Sequence, residues 1–270
     1  MNPSEKYGEG PVLKLPKNTV GRDFVVGDLH GCLQDFLALL KEIGFDKEKD
    51  RMFSVGDLID RGPDSLNCAQ LIYEKWMYVC RANHEQMMID CTLNTSRAQN
   101  DMWAMNGGSW HHEVDIQLLK CIAEDMNKLP FVISIGEGDD RINLVHAELI
   151  VTTDADVDNW HTARKITPEW QYDNIIWGRS LVYESDAEAP GLSLTIVGHT
   201  PQVVPMYHEN ANHLYIDTGC FIRHRPSHTP QDRWLTCADI TNKYDITLIS
   251  YSGLYGVTHR NKLEDVERIK

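Results

Sequence analysis

The sequence contains no Cys-x-x-Cys pair. Its seven cysteines, Cys32, Cys68, Cys80, Cys91, Cys121, Cys220 and Cys237, are odd in number and scattered. This excludes a thiolate zinc site of the usual spacing and a paired disulfide framework, and leaves the cysteines as buried or incidental thiols. Long apolar runs are lacking as well. None exceeds five residues, as in Phe36 to Leu40, whereas a membrane span needs about 18. The first twenty residues are polar and marked by proline and glycine, without the apolar block of a secretory signal. A cytoplasmic protein with no membrane partner is therefore expected. Positive charge is also short, since 26 Lys and Arg stand against 40 Asp and Glu for a formal charge of −14. At long range such an excess repels a phosphate backbone, so bulk nucleic-acid binding is not expected. No internal repeat, low-complexity tract or interdomain linker stands out. The G-x-x-x-x-G-K-[ST] loop, the G-x-S-x-G elbow and the H-E-x-x-H pair are all missing.

What the chain does have is the composition of a globular protein: 270 residues, 42% hydrophobic and 24% charged. Residues 1–21 read as a loose leader. From Asp23 onward, short apolar strands alternate with helical spacing. A strand over Asp23–Gly27 precedes a helix whose stripe is Leu33, Phe36, Leu37, Leu40 and Ile43, stopped at Gly44. A strand at Met52–Val55, a helix containing Leu66, Ala69, Leu71 and Ile72, and a strand at Trp76–Cys80 complete β-α-β-α-β, the pattern of parallel strands with right-handed crossovers. Glu85 to Leu129 reads as helical, broken at Asn106-Gly107-Gly108. Phe131–Ile135 and Arg141–His146 flank a hairpin turn. Residues 152–174 read as acidic and irregular, and strands near Leu194–Val197, His213–Ile216, Trp234–Ala238 and Ile246–Ile249 suggest a mostly antiparallel second half.

Chemistry-bearing residues collect just after these strands, at the carboxyl edge where α/β sheets place their sites. Gly27-Asp28-Leu29-His30-Gly31 offers a carboxylate and an imidazole; taken alone it is equally a capping Asp beside a surface His. Gly56-Asp57-Leu58-Ile59-Asp60-Arg61-Gly62 repeats the Gly-Asp after the next strand, with Asp57 29 residues beyond Asp28. Two carboxylates meeting at adjacent strand ends repel each other unless a cation lies between them. Arg81-Ala82-Asn83-His84-Glu85 brings an amide oxygen and a second imidazole to the same edge. His146 and His199 each end an apolar run and could supply further nitrogen ligands.

In this order, GD-x-HG, GD-x-x-DRG, NHE and the isolated histidines of HA and GHTP, the chain resembles the phosphoprotein phosphatase family of metallophosphoesterases. The similarity is greatest to the bacteriophage lambda-type serine/threonine phosphatases, with the symmetrical diadenosine tetraphosphate hydrolases as a related branch. It extends to Asn83-His-Glu-Gln-Met-Met-Ile-Asp90, Asn106-Gly-Gly-Ser-Trp110 and Tyr215-Ile-Asp-Thr-Gly219. The resemblance implies a calcineurin-like α/β fold, a layered β-sandwich of mixed sheets flanked by helices, with residues 22–270 as one domain. It implies two divalent metal ions, Mn or alternatively Fe or Zn, with Asp28 and His30 on one, Asn83, His146 and His199 on the other, and Asp57 bridging. It implies His84 as general acid oriented by Asp60, with Arg61 and Arg179 on the phosphate oxygens. The implied activity is hydrolysis of phosphomonoesters, including phosphoserine and phosphothreonine in proteins, by direct attack of a metal-bound hydroxide. The alternative is hydrolysis of dinucleoside polyphosphates.

Plainer readings stand beside several of these residues. Arg61 could pair with Asp60 and Arg179 could be a surface charge, while Asp217, Trp103 and Trp110 read as structural. Two departures from the family pattern carry expectations of their own. Ala82 stands where the family has Gly, and would be strained if the backbone there needs a positive φ. The basic segment Arg223 to Arg233 is either a solvated loop or a patch leaning over the site to attract anionic substrate.

Overall fold

The computed structural model describes residues 2–94, 97–184, 186–224, 233–253 and 255–269. Thirteen strands are present among them: β1 (Val12–Leu15), β2 (Asp23–Val26), β3 (Arg51–Ser54), β4 (Met77–Val79), β5 (Val132–Ile135), β6 (Ile142–Leu144), β7 (Leu194–Val197), β8 (Met206–His208), β9 (His213–Tyr215), β10 (Leu235–Asp239), β11 (Thr247–Ser252), β12 (Val257–Lys262) and β13 (Glu267–Ile269). They form a six-stranded sheet in the order β12-β11-β10-β2-β3-β4 and a seven-stranded sheet in the order β1-β5-β6-β7-β9-β8-β13.

Side chains alternate across a strand, so a strand buried on both faces must be apolar throughout. β2, whose first residue Asp23 is a buried ion-pair partner of Arg51, follows this rule over residues 24–26. Its Phe24 and Val26 face a cluster with Phe36, Leu39, Met52 and Ile122, under the helices. Val25 faces the opposite way, among Phe53, Val55, Leu144, Ile196, Leu214 and Leu248, between the two sheets. The far face of the second sheet is covered by a third cluster that includes Val132, Val145, Val157, Trp160 and Ile175. The result is a layered helix–sheet–sheet–helix sandwich, with mixed sheets, as expected.

The expected β-α-β-α-β unit is present, with β2, β3 and β4 parallel and in register from Phe24↔Met52 to Ser54↔Val79. β5 and β6 pair antiparallel as the expected hairpin. Four expectations are corrected. Val12–Leu15, within the supposed loose leader, is an edge strand parallel to β5, because its backbone completes that edge. The second half is mixed, since β7 lies parallel to both β6 and β9. The acidic stretch contains the helices Asp154–Ala163 and Gln171–Trp177; Val157 and Trp160, one turn apart, are the buried residues that seat the first of them. In the helix Leu33–Glu42, Leu39 is buried while Leu37 is 41% exposed, so the packed stripe runs Phe36, Leu39, Leu40, Ile43. Among the described residues no helix is long and apolar enough to cross a membrane. Six of the seven cysteines are buried and Cys121 is exposed.

Candidate active site

The carboxyl ends of β2, β3, β6, β7 and β9, and the start of the helix Asn83–Ile89 after β4, converge on one edge. The turns leaving those strands are tight. Of the seven non-glycine residues with positive φ among the described residues, five are His30 (43°), Asp57 (51°), Asp60 (74°), Arg61 (69°) and His199 (67°). Side chains other than glycine enter this region at a cost of about 1–3 kcal/mol, which the surroundings must offset. Here the hydrogen bonds do so. The N–H groups of Leu29 and His30 donate to the carbonyl of Asp57 at 3.1 and 2.8 Å, locking the first two turns together.

Asp57 lies at the centre. Its Oδ2 is 3.2 Å from His30 Nε2, 3.4 Å from His146 Nε2 and 3.9 Å from His84 Nε2. The other ring nitrogens of His30 and His146 are already committed, each Nδ1–H donating to a backbone carbonyl, Ile59 at 2.8 Å and Val55 at 3.0 Å. This fixes the tautomer that turns the Nε2 lone pair inward, the arrangement found in metal-ligating histidines. Asn83 Oδ1 is 2.8 Å from His146 Nε2, and His199 Nδ1 is 3.1 Å from the same atom. Asp28 accepts from the His199 N–H at 3.0 Å. Gly198 is required beside it, since a Cβ there would lie 2.0 Å from Asp28 Oδ1.

The electrostatics follow from burial and mutual proximity. Burial raises the Asp28 carboxyl well above its ordinary range, and Asp217 and Asp57 raise it further. Burial also lifts Asp217, to about 6. Asp57 goes the other way: burial would raise it, but the imidazoles of His146, His84 and His30 outweigh burial and hold it well below the usual range. Burial pushes His30 down to about 3, helped by the Arg61 charge, and His146 down to about 4. Both rings are thus neutral bases near pH 7, with free electron pairs. A buried carboxylate set among imidazoles, with the carboxyl groups of Asp28 and Asp217 buried close by, suits a divalent cation. His30, Asp57 and His84 form one group of potential ligands and Asp57, His146 and His199 another; in each, one atom per residue lies within 4.8 Å of the others. The shared member is Asp57. The donor set is oxygen and imidazole without thiolate, which suits Mn, Fe or Zn.

His84 is arranged differently. Its Nδ1 is 2.5 Å from Asp60 Oδ2, and its buried Nε2 has no hydrogen-bond partner among the described residues. Burial would lower its pKa, but Asp57 and Asp60 raise it above the ordinary histidine value. Arg61 reaches His30 Nε2 at 2.6 Å and lies over the Phe221 ring, 4.7 Å from its centroid. It does not pair with Asp60. Arg179 is exposed and has no carboxylate partner among the described residues, yet its charge helps to lower His199.

Several contributors were not read from the sequence. Glu85, fully buried, accepts from the N–H groups of Asp57 (3.0 Å), Leu58 (2.8 Å) and Ala82 (3.2 Å), so it holds the Asp57 turn. Its place in Asn-His-Glu, three residues into a helix, was the available signal. Glu148 accepts from Ser180 N and Oγ at 3.1 and 2.8 Å and from Leu181 N at 2.7 Å, anchoring the loop that carries Arg179. Asp60 takes both indole N–H groups of Trp103 and Trp110, which were read as packing residues. Ala82 is not strained: its φ is −116°, ordinary extended backbone. The basic segment lies outside the described residues over 225–232. Its described ends are tied down, Arg223 to Asp35 in an ion pair and Arg233 Nη1 to the Gln202 carbonyl at 2.9 Å.

Comparison with known proteins gives a consistent answer. The family model of calcineurin-like phosphoesterases matches residues 24–251. Serine/threonine-protein phosphatase 1 of Salmonella typhimurium is 33% identical over 202 residues, 73% of this chain and 85% of that protein. Serine/threonine-protein phosphatase 2 of the same organism is 28% identical over 205 residues, 73% and 87% of the two chains. A symmetrical bis(5'-nucleosyl)-tetraphosphatase of Aliivibrio salmonicida is 37% identical, but over only 76 residues, 27% of this chain and 28% of that one. Among solved structures, a cold-active protein-tyrosine phosphatase of a psychrophilic Shewanella superposes with a TM-score of 0.57 at 15% identity, covering 94% of this chain and 82% of that one, a likeness of fold. With its motifs in order, its sheets layered as expected and its oxygen and imidazole donor groups gathered at one edge, the chain belongs to the calcineurin-like phosphoesterase family of metal-dependent hydrolases.

Proposed function

We propose that the protein is a dinuclear-metal-dependent phosphatase acting on phosphomonoesters, including phosphoserine and phosphothreonine in proteins. The observation that carries this reading is the position of Asp57, whose Oδ2 lies 3.2 and 3.4 Å from the inward-facing Nε2 atoms of His30 and His146. Asp28 and His30 would hold one cation, Asn83, His146 and His199 the second, and Asp57 would be common to both. When bound, such a pair supplies the positive charge that makes water nucleophilic near neutral pH and offsets charge on a phosphoryl group.

The chain's own residues complete the chemistry. Arg61, whose Nη1 lies 2.6 Å from His30 Nε2, would turn its planar fork to non-bridging phosphate oxygens once His30 serves as a ligand. Arg179, whose charge is felt at His199, would meet the same oxygens. His84 holds a proton at Nε2, kept there by Asp60 behind the ring, and delivers it to the departing alkoxide, a contribution worth ~10²–10⁴ in rate. An alkoxide is a poor leaving group, so a positioned acid suits serine and threonine esters.

The same centre would serve a dinucleoside polyphosphate, and the likeness to the bis(5'-nucleosyl)-tetraphosphatase extends over 76 residues. Extent of similarity favours the protein phosphatases. Incubating Mn²⁺-loaded protein in parallel with a phosphoserine peptide and diadenosine tetraphosphate decides between them. The peptide is expected to have the higher kcat/KM; a preference of more than about tenfold for the nucleotide, about 1.4 kcal/mol in the barrier, overturns the proposal.

A further inference from the structure

We infer that Trp103 and Trp110 are positioning residues for the proton-delivering pair Asp60–His84, and that Gly107 and Gly108 are present to let them reach it. The inference rests on the reading of His84 as an acid and extends it to residues outside the metal-binding turns. Asp60 has no exposed surface, and each of its carboxylate contacts comes from an N–H group. Oδ2 meets His84 Nδ1 at 2.5 Å and Trp103 Nε1 at 2.9 Å. Oδ1 accepts from Trp110 Nε1 at 2.6 Å and Trp103 Nε1 at 3.1 Å, so its partners are both indoles. An indole N–H can only donate, and three donors spread around one carboxylate fix its rotation. That rotation aims Oδ2 at the imidazole and so aims Nε2 into the site.

The indoles are themselves braced. Trp103 is buried, stacks on His111 with ring centroids 4.4 Å apart and planes 10° apart, and meets Trp110 edge-on at 6.0 Å. His111 Nδ1–H donates to the Gly108 carbonyl at 2.6 Å. A Cβ on Gly108 would lie 2.4 Å from Trp103 Nε1, the atom that donates to Asp60. Gly107 adopts φ +100°, and a Cβ there would lie 2.7 Å from the backbone nitrogen of Arg61, which donates to the Gly107 carbonyl. The Asn106-Gly107-Gly108 break in the helical stretch is therefore a fitted part of the site.

A proton donor matters most where the leaving group is poor, and this separates positioning from general structural support. The test compares kcat for phenyl phosphate and p-nitrophenyl phosphate in Mn²⁺-loaded wild type, Trp103→Phe, Trp110→Phe and the double variant. Phenylalanine keeps an aromatic ring, though a smaller one, and removes the N–H. Bound metal and melting temperature are measured alongside. The double variant is expected to lose ~10- to 100-fold in kcat on phenyl phosphate and less than ~3-fold on p-nitrophenyl phosphate, with KM nearly unchanged. Equal losses on the two substrates, or none, overturn the inference. If the double variant does not fold, Trp110→Phe alone, on the half-buried indole, must show the same bias in its ratio of losses. His84→Asn is the benchmark: if it shows the bias and the tryptophan variants do not, the inference alone fails, whereas if His84→Asn lacks the bias, the acid role itself falls.

Discussion

Ala82 illustrates how a single methyl group is judged by its backbone. With φ at −116° the residue needs no glycine-like freedom, and its Cβ fills the space above Gly56, where a second Cβ would come within 2.5 Å. Gly56 itself, at φ +104°, is the position here that requires glycine. Ala82→Gly is accordingly expected to leave kcat within about twofold and to lower stability by ~1–2 kcal/mol through lost burial and added chain entropy, as read by urea denaturation. A clear rise in activity would show that the methyl narrows the site after all. At this scale the sequence was informative about ligand-type residues, because Asp28, Asp57, Asn83, His146 and His199 each follow an apolar strand directly. Its silence fell on Glu148, Trp103 and Trp110. These act through hydrogen bonds to partners distant in the chain, and no local spacing encodes such contacts.

At the scale of elements, the turn after each strand is the working unit, and each turn is held by a buried acceptor elsewhere. Glu148, two residues past His146, binds the 180–181 backbone and crowds Gly178, whose Cβ would lie 2.2 Å from its Oε1. Arg179 is carried between those anchors. Glu148→Ala should therefore lower kcat/KM on a phosphopeptide by ~10- to 100-fold, the scale of a misplaced binding group. Combining it with Arg179→Ala should add little beyond the single changes. Fully multiplicative losses in that double-mutant cycle would show that Glu148 acts through something other than Arg179. Elements with strong periodicity or a Gly-Asp end were legible, including the parallel β2-β3-β4 unit. The helix Asp154–Ala163 was not, because it buries only Val157 and Trp160 and its acidic outer face resembles a loop. β1 was missed for a related reason: four residues among prolines become a strand only when β5 is beside them.

Over the whole molecule, the site exists because two sheets end at the same edge: β2 and β3 give Asp28 and Asp57, while β6 and β7 give His146 and His199. The packing between the sheets is thus part of the site's precision. Ile196, fully buried there, should cost ~2–5 kcal/mol on replacement by alanine, measurable as a fall in the denaturation midpoint; a change below about 1 kcal/mol would mean the sheets do not depend on that layer. The charge of −14 also takes on a local meaning. Asp28, Asp57 and Asp60 are buried together, an arrangement that a pair of divalent cations would offset and that repels itself without them. In the proposed function Asp57 would join two such cations into one hydrolytic centre. The most direct test of this reading is to titrate Mn²⁺ into chelator-stripped wild type and Asp57→Asn while following metal bound and phosphoserine-peptide hydrolysis. Wild-type activity is expected to appear with two ions per chain, and Asp57→Asn to lose tight binding of both and ~100-fold or more of the rate. Full activity in the stripped protein, or wild-type activity in Asp57→Asn, would contradict it.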